Sequence, residues 1–282
     1  MEETKTMKRK IQTGWFLLIP PAIFLIVFFF IPLLRIFKIS ITDADGHISF
    51  SAYLQFFQTS IYFKVMLLTF KVSFFVTLFC LILGYPVAYT MAKSSKRVSS
   101  LIMIAVMIPF WTSLLVRTYA WMILLQTDGV INNILLNIGL IDAPLRLFKN
   151  SIGVYIGMTH ILLPYMILSL YPVMASIDNN YVAAARNLGA NKVVAFFKVY
   201  FPLSIQGIAA GTILVFVMGI GYFITPSLLG GSGDTMISQM IQIQVSKLLN
   251  WQFASAVSII LFVISMVILY ASKKLMKVEK LW

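Results

Sequence analysis

Apolar residues fall along this chain in long blocks separated by short polar stretches. Six blocks are long enough to be drawn as helices crossing a membrane: about Trp15 to Leu34, Val65 to Ala92, Leu101 to Val116, Ile152 to Met174, Leu203 to Leu229 and Phe253 to Tyr270. A helix of about 20 residues spans a hydrocarbon core of about 30 Å, so the pattern predicts an all-α, polytopic membrane protein. The shorter apolar piece from Val130 to Ile141 is interrupted by Asn132, Asn133, Asn137 and Gly139. It is too short to cross and is expected as an external or partly re-entrant helix. The first block is longer than a signal-peptide core and no small-residue cleavage site follows it, so a retained helix is expected.

Composition agrees with the blocks: 60% of the 282 residues are hydrophobic and 11% are charged. The charge balance of +13 changes the picture only through its placement. One set of connecting segments holds Lys5, Lys8, Arg9, Lys10, Lys93, Lys96, Arg97, Arg186, Lys192, Lys198, Lys273, Lys274, Lys277 and Lys280. The opposite set holds only Arg35, Lys38, Lys64, Arg117, Arg146, Lys149 and Lys247. Basic residues collect on the cytoplasmic side, so both termini are expected in the cytoplasm. The excess is then a topology signal helped by anionic membrane lipid. Dispersal over short loops argues against a nucleic-acid partner. The single cysteine, Cys80, lies in an apolar run and permits no intramolecular disulfide. It and the fifteen methionines are read as packing.

This topology places the longest internal loop, Ala175 to Pro202, in the cytoplasm. Ser176, Asp178 and Asn179 are candidate caps, Tyr181 to Arg186 favours helix, and Gly189 interrupts it. Pro202 is expected to mark the start of the fifth span. All nine acids (Glu2, Glu3, Asp43, Asp45, Asp128, Asp142, Asp178, Asp234 and Glu279) fall outside the spans. Ion-coupled carriers usually place an ionisable or coordinating group within the membrane, and here only His160 and Lys71 are available. No nucleophile with a base and no metal cluster supports a membrane enzyme. The energy source is therefore expected on another subunit, with the cytoplasmic loop as its receiver. A stand-alone carrier or channel is the rival reading.

The loop "AAARNLGANKVVAFFKVYFP" resembles the coupling loop of permease subunits of binding-protein-dependent ABC importers. That family's pattern is Glu-Ala-Ala, three residues, Gly, nine residues, an aliphatic residue, one residue, Leu, Pro. It falls here on Ala183, Ala184, Ala185, Gly189, Val199, Phe201 and Pro202. The glutamate position is Ala183 and the leucine position is Phe201, so one anionic anchor is missing. "IPFWTSLLVRTYAW", "GVINNILLNIGLIDAPL" and "PSLLGG" resemble the polyamine (spermidine/putrescine) group of these permeases. The resemblance implies a type I importer permease fold in a bacterial inner membrane. It implies a non-enzymatic chain paired with a second, homologous permease. Two ATPase subunits would carry ATP and Mg, and an external binding protein would deliver the solute. No cofactor is expected in this chain. Within the loop it implies ATPase coupling through Ala183, Ala184, Ala185, Arg186, Gly189 and Pro202. Small residues there permit close approach, and Arg186 reaches carboxylates or carbonyls. The implied organisation is a first helix with its external segment (1–64), a five-helix core (65–275) containing the loop (175–202), and a cytoplasmic tail (276–282).

Candidate pathway residues are Lys71, Trp111, Arg117, Tyr119, His160, Tyr165, Tyr222 and Phe223. Each has an ordinary alternative. Lys71 either snorkels to the interface or lines a path. Arg117 is an aromatic-belt anchor or a lining group, and His160 is a packed, hydrogen-bonded histidine or a solute contact. Gly219 and Gly221, before Tyr222, Phe223 and Pro226, mark either a gate or tight helix packing. Aromatic side chains suit a cationic solute. Lys71 and Arg117 suit an anionic or zwitterionic one.

Overall fold

The structure, a computed structural model, describes residues 19–43 and 45–275. The basic cluster from Lys5 to Lys10, the expected start of the first span at Trp15 and the 276–282 tail lie outside the described residues. The helices are α1 (Ile19–Ser40), α2 (Ser51–Gln58), α3 (Ser60–Lys93), α4 (Lys96–Trp111), α5 (Leu114–Leu124) and α6 (Val130–Asn137). They continue with α7 (Ser151–Ser176), α8 (Asn179–Asn187), α9 (Lys192–Gly221), α10 (Ile224–Leu229), α11 (Ile237–Ser246) and α12 (Trp251–Leu275).

Among the described residues, five helices are long and apolar enough to cross a membrane: α1, α3, α7, α9 and α12. The expected third span is instead the pair α4 and α5, bent by 96°. Pro109 lies at the start of a tight turn over Ile108–Trp111, and Thr112 is extended and Ser113 non-helical. Counting that pair as one broken span gives six. The fifth span is also corrected. It does not run from Leu203 to Leu229; α9 starts at Lys192, ends at Gly221, and resumes as α10 after an unwound Tyr222–Phe223.

Pro202 does not begin the span either, because the helix runs straight through it. The reason is local. Residues Phe196–Tyr200 form one π turn, with the Phe201 N–H bonding the Phe196 carbonyl. Widening the turn just before proline removes the bond its missing N–H would break and eases the ring away from the preceding carbonyl. The same solution recurs in α1, where Ile26–Phe30 form a π turn, Ile31 N–H bonds the Ile26 carbonyl, and Pro32 follows.

The chain divides into two compact units. The first holds the chain up to Thr59 together with Ile241–Val263. In it Ser40 and Tyr53 share a 2.7 Å hydrogen bond, and Asn250 caps the start of α12 by accepting from Phe253 N–H at 3.0 Å. No residue of α1 within its apolar window is buried.

The second unit holds Ser60–Met240 and the end of α12. Its centre is α3, α7 and α9 packed on one another. Val72, Val76, Cys80, Ala88 and Met91 of α3 meet Val154, Met158, Leu162, Met166 and Leu170 of α7, with Val215 of α9. Glycines set how close the helices come. A Cβ on Gly211 would lie 2.7 Å from Met166 Sδ, and one on Gly207 would lie 3.1 Å from Val173. Lipid gives helices no hydrophobic drive to associate, so close approach at small residues carries the packing. Gly219 likewise sits against Ser73, with a Cβ contact of 3.2 Å.

Candidate functional site

The loop between α7 and α9 is built by three local devices. Asp178 caps α8, its carboxylate accepting from Asn180 N–H at 2.9 Å. Ser176 spends its hydroxyl on the Val173 carbonyl instead. At the other end Gly189 adopts φ +90°. Its N–H bonds the Arg186 carbonyl at 3.0 Å, while Ala190 N–H reaches the Ala185 carbonyl at 3.1 Å. This is the paired closure of a Schellman cap, which a residue with a Cβ enters at a cost. Asn191 then caps the start of α9, accepting from Val194 N–H at 2.8 Å.

The close approach expected at Gly189 concerns a partner, and within this chain the position is open. A Cβ there would meet nothing within 4 Å. Its positive φ is what requires glycine. Ala183, Ala184 and Arg186 are exposed, Ala185 is half-buried, and no α8 residue is buried. Leu188 is 90% exposed, an apolar side chain presented at the tip of the loop. Pro202 stands apart from these residues, within α9 beyond the π turn.

A second group gathers inside the helical unit. Trp121 Nε1 donates to His160 Nδ1 at 3.1 Å, and the two rings meet edge-on at 5.6 Å. His160 is thus packed and hydrogen-bonded within this chain. Arg117, one turn before Trp121 on α5, lies within electrostatic reach of both His160 and Tyr222. Its buried Nε has no hydrogen-bond partner. Tyr165 packs against Phe110 at 5.0 Å and lies near Tyr222. Tyr222 sits in the break between α9 and α10, and its freed carbonyl accepts from Ser238 Oγ at 2.6 Å. Arg117, His160, Tyr165 and Tyr222 thus lie in one neighbourhood, joined by Trp121. Lys71, Trp111, Tyr119 and Phe223 are exposed and outside it; Trp111 is 87% exposed.

Sequence reasoning missed two polar junctions. In "PSLLGGSGD", Asp234 is buried and accepts from Gly231 N–H at 2.9 Å and from Ser151 Oγ. Cβ atoms at Gly230 and Gly231 would come within 2.6 Å and 2.5 Å of the Pro226 and Lys149 carbonyls, so the double glycine is steric. Asn132, read as a helix breaker, is fully buried. It bonds the Gln126 and Leu145 carbonyls and the Leu145 N–H, pinning α6 to the segment behind it. The apolar run that carries Asn132 gave no sign of this, because its partners lie in loops.

Residues 81–275 match the family described as "Binding-protein-dependent transport system inner membrane component". The chain is 36% identical over 266 residues to the spermidine/putrescine transport system permease protein PotB of Haemophilus influenzae, covering 90% of this chain and 93% of that one. It is 38% identical over 204 residues to PotB of Escherichia coli, covering 72% and 74%. Among solved structures, a chain of a bacterial alginate ABC transporter in complex with its alginate-bound periplasmic protein superposes with a TM-score of 0.77 at 19% identity. That match covers 96% of this chain and 98% of the other. A chain of the MetNI methionine ABC transporter superposes at 0.56 with 15% identity, covering 75% and 92%. The fold is that of type I ABC importer permeases.

Proposed function

Because this chain belongs to the family of inner membrane components of binding-protein-dependent transport systems, we propose that it lets a small organic polycation of the spermidine/putrescine kind through the membrane and carries out no bond chemistry itself. ATP is hydrolysed, with Mg, on two separate ATPase subunits. A second, homologous permease completes the pore, and an external binding protein delivers the solute. Both termini face the cytoplasm, which puts α8 on the ATPase side.

The carrying observation is the α8 loop. It presents Ala183, Ala184, Arg186 and Leu188 on a helix with no buried residue of its own, closed by a Schellman turn at Gly189. An exposed apolar tip beside a guanidinium suits a cleft on a partner with apolar walls and carboxylates or carbonyls. Ala183 leaves the grip without the family's glutamate, so Arg186 supplies the charged contact. Pro202 shapes the start of α9, following its π turn. As the ATPases close and open, the permease rocks between outward- and inward-facing arrangements. Gly189→Trp in the assembled complex tests this. Membrane insertion should persist while solute uptake per ATP falls, and full transport with that bulk present removes the loop from the mechanism.

The polyamine substrate is supported by the named relatives and by the aromatic group of Trp121, Tyr165 and Tyr222, whose faces attract ammonium groups. With no carboxylate on the drawn spans, acids on the sister permease would compensate the cation, since an unpaired charge within the membrane costs several kcal/mol. One observation favours an anionic or zwitterionic solute instead: Arg117 beside that group has a buried Nε without a partner. Calorimetry of the cognate binding protein decides. Heat with spermidine or putrescine supports the polyamine, and no heat with either sinks it while leaving the importer reading intact.

A further inference from the structure

Lys93 is the last residue of α3, and two contacts meet at its ammonium group. It donates a hydrogen bond to the side-chain carbonyl of Asn179, the first residue of α8. It also lies over the ring of Tyr200, 4.4 Å from the centroid. Tyr200 closes the π turn of α9 and is 1% exposed. Its hydroxyl donates to the Met174 carbonyl near the end of α7 at 3.3 Å. Tyr200 stacks on Phe196 at 5.9 Å and meets Tyr89 of α3 edge-on at 5.1 Å. The cytoplasmic ends of α3, α7 and α9 and the start of α8 therefore meet around one cation.

The arrangement is specific to a lysine in this place. As the last residue of a helix, its charge also offsets the partial negative charge of the unpaired carbonyls there. An ammonium group keeps a spare proton for Asn179 while resting on a ring face. On the α8 side Ile177 and Val182 supply apolar contact with the unit's core. Apolar contact holds a helix against a surface but leaves it free to slide and turn. The Lys93 contacts are directional and fix how α8 is aimed.

We infer that Lys93 is a positioning residue for coupling, passing movement of α8 to α3 through its own helix and to α9 through the Tyr200 ring. This rests on the reading of α8 as the ATPase-docking helix. The deep location of Tyr200 makes the link stiff, because the ring cannot move without Phe196, Tyr89 and the end of α7.

The test is the number of solute molecules taken up per ATP hydrolysed by the complete complex in vesicles. Lys93→Met keeps the length of the side chain and removes charge and donor; the ratio should fall by about three- to tenfold with the complex still assembled. Lys93→Arg should restore most of it. Tyr200→Phe keeps the ring face and should stay near the unaltered ratio, while Tyr200→Leu should lower it. Asn179→Ala, an exposed change on α8, should give an intermediate loss and serves if Lys93→Met fails to assemble. A role in stability alone would reduce the yield of complex and leave the ratio untouched. An unaltered ratio in Lys93→Met, or no recovery in Lys93→Arg, overturns the inference. Gly189→Trp in the same vesicles separates the two readings. If it uncouples and Lys93→Met does not, the relay is wrong and the docking loop stands; if neither does, both fall.

Discussion

Gly189 offers a clean perturbation because its backbone and its surroundings point in different directions. With φ at +90° the residue closes the α8 turn, yet a side chain there would touch nothing within 4 Å. Gly189→Ala therefore costs no packing energy inside this chain. It costs the left-handed conformation, about 1–2 kcal/mol for an L-residue. That corresponds to about a 5- to 30-fold loss in the population of the closed turn relative to open alternatives. If the ATPase binds only the closed turn, its apparent affinity for the permease falls by up to that factor. Asparagine enters this region more readily, so Gly189→Asn should be milder than alanine, and β-branched Gly189→Val should be worse than either. Titration of purified ATPase onto permease-containing vesicles, read by stimulated hydrolysis and by uptake, gives the ranking Gly, Asn, Ala, Val. Gly189→Trp carries the same strain plus bulk, so its excess over alanine measures how closely the partner approaches. An affinity for Gly189→Ala equal to that of the unaltered chain would refute the reasoning, since strain is the only penalty the geometry provides.

Three other outcomes are expected. With Cys80 replaced, single cysteines at Asp45, Asn191 and Ser232 should be labelled by an impermeant thiol reagent outside intact cells at the first and last positions only. Ser232 serves because it is exposed, whereas its neighbour Asp234 is buried and holds the loop; labelling at 191 overturns the orientation. Asp234→Ala leaves the Gly231 N–H and the Ser151 hydroxyl without their acceptor and should cost about 2–4 kcal/mol, seen as a lower thermal inactivation temperature in detergent, with Ser151→Ala costing less. Uptake of a cationic solute should be unchanged or faster in Lys71→Ala and Arg117→Ala; spermidine uptake lost in Arg117→Ala, with assembly and ATPase activity normal, contradicts a cation pathway through that group.

The helical membrane architecture was legible because burial in lipid demands long apolar runs, and those runs are what the sequence displays. Helix ends were less legible. α3 begins at Ser60, because Lys64 sets Ile61–Phe63 apart from the long apolar run, and the helix expected after Gly189 is continuous with the fifth span, so that α9 begins at Lys192. α11 was missed altogether: Gln239, Gln242 and Gln244 break its apolar pattern into pieces too short to read. The 96° bend at Pro109 was not legible, because it comes from the turn over Ile108–Trp111 and the non-helical Thr112 and Ser113 after it. At the loop, spacing marked Gly189, and the structure adds a feature the spacing does not carry, the positive φ that closes the turn. Lys93 looked like one more internal positive charge. Its partners lie 86 and 107 positions away, and only the fold brings them within reach.

The two irregular breaks of the membrane helices are related to the polar group between them. Backbone that leaves the helix at membrane depth survives only where protein or water satisfies it. The α9–α10 break meets that condition, and it lies beside the second half of the bent pair, because α10 packs on α5 and on α7. Ser238 takes the Tyr222 carbonyl, while Arg117 and His160 stand close by. At the other end of α9 lie Gly189, Asn191 and the Tyr200 ring under Lys93. Between them α9 runs unbroken for 30 residues, about 45 Å at 1.5 Å per residue. Its π turn keeps Pro202 from breaking it, so a displacement applied at Lys192 arrives at Tyr222 with little lost in a hinge. Under the proposed function this gives α9 the role of a rod between the ATPase-facing loop and the broken segment beside the solute path. A flexible substitution in mid-helix, such as Ile208→Gly, should then lower uptake per ATP more than Ile208→Ala does. Equal ratios in the two variants would show that stiffness of α9 is not what carries the stroke.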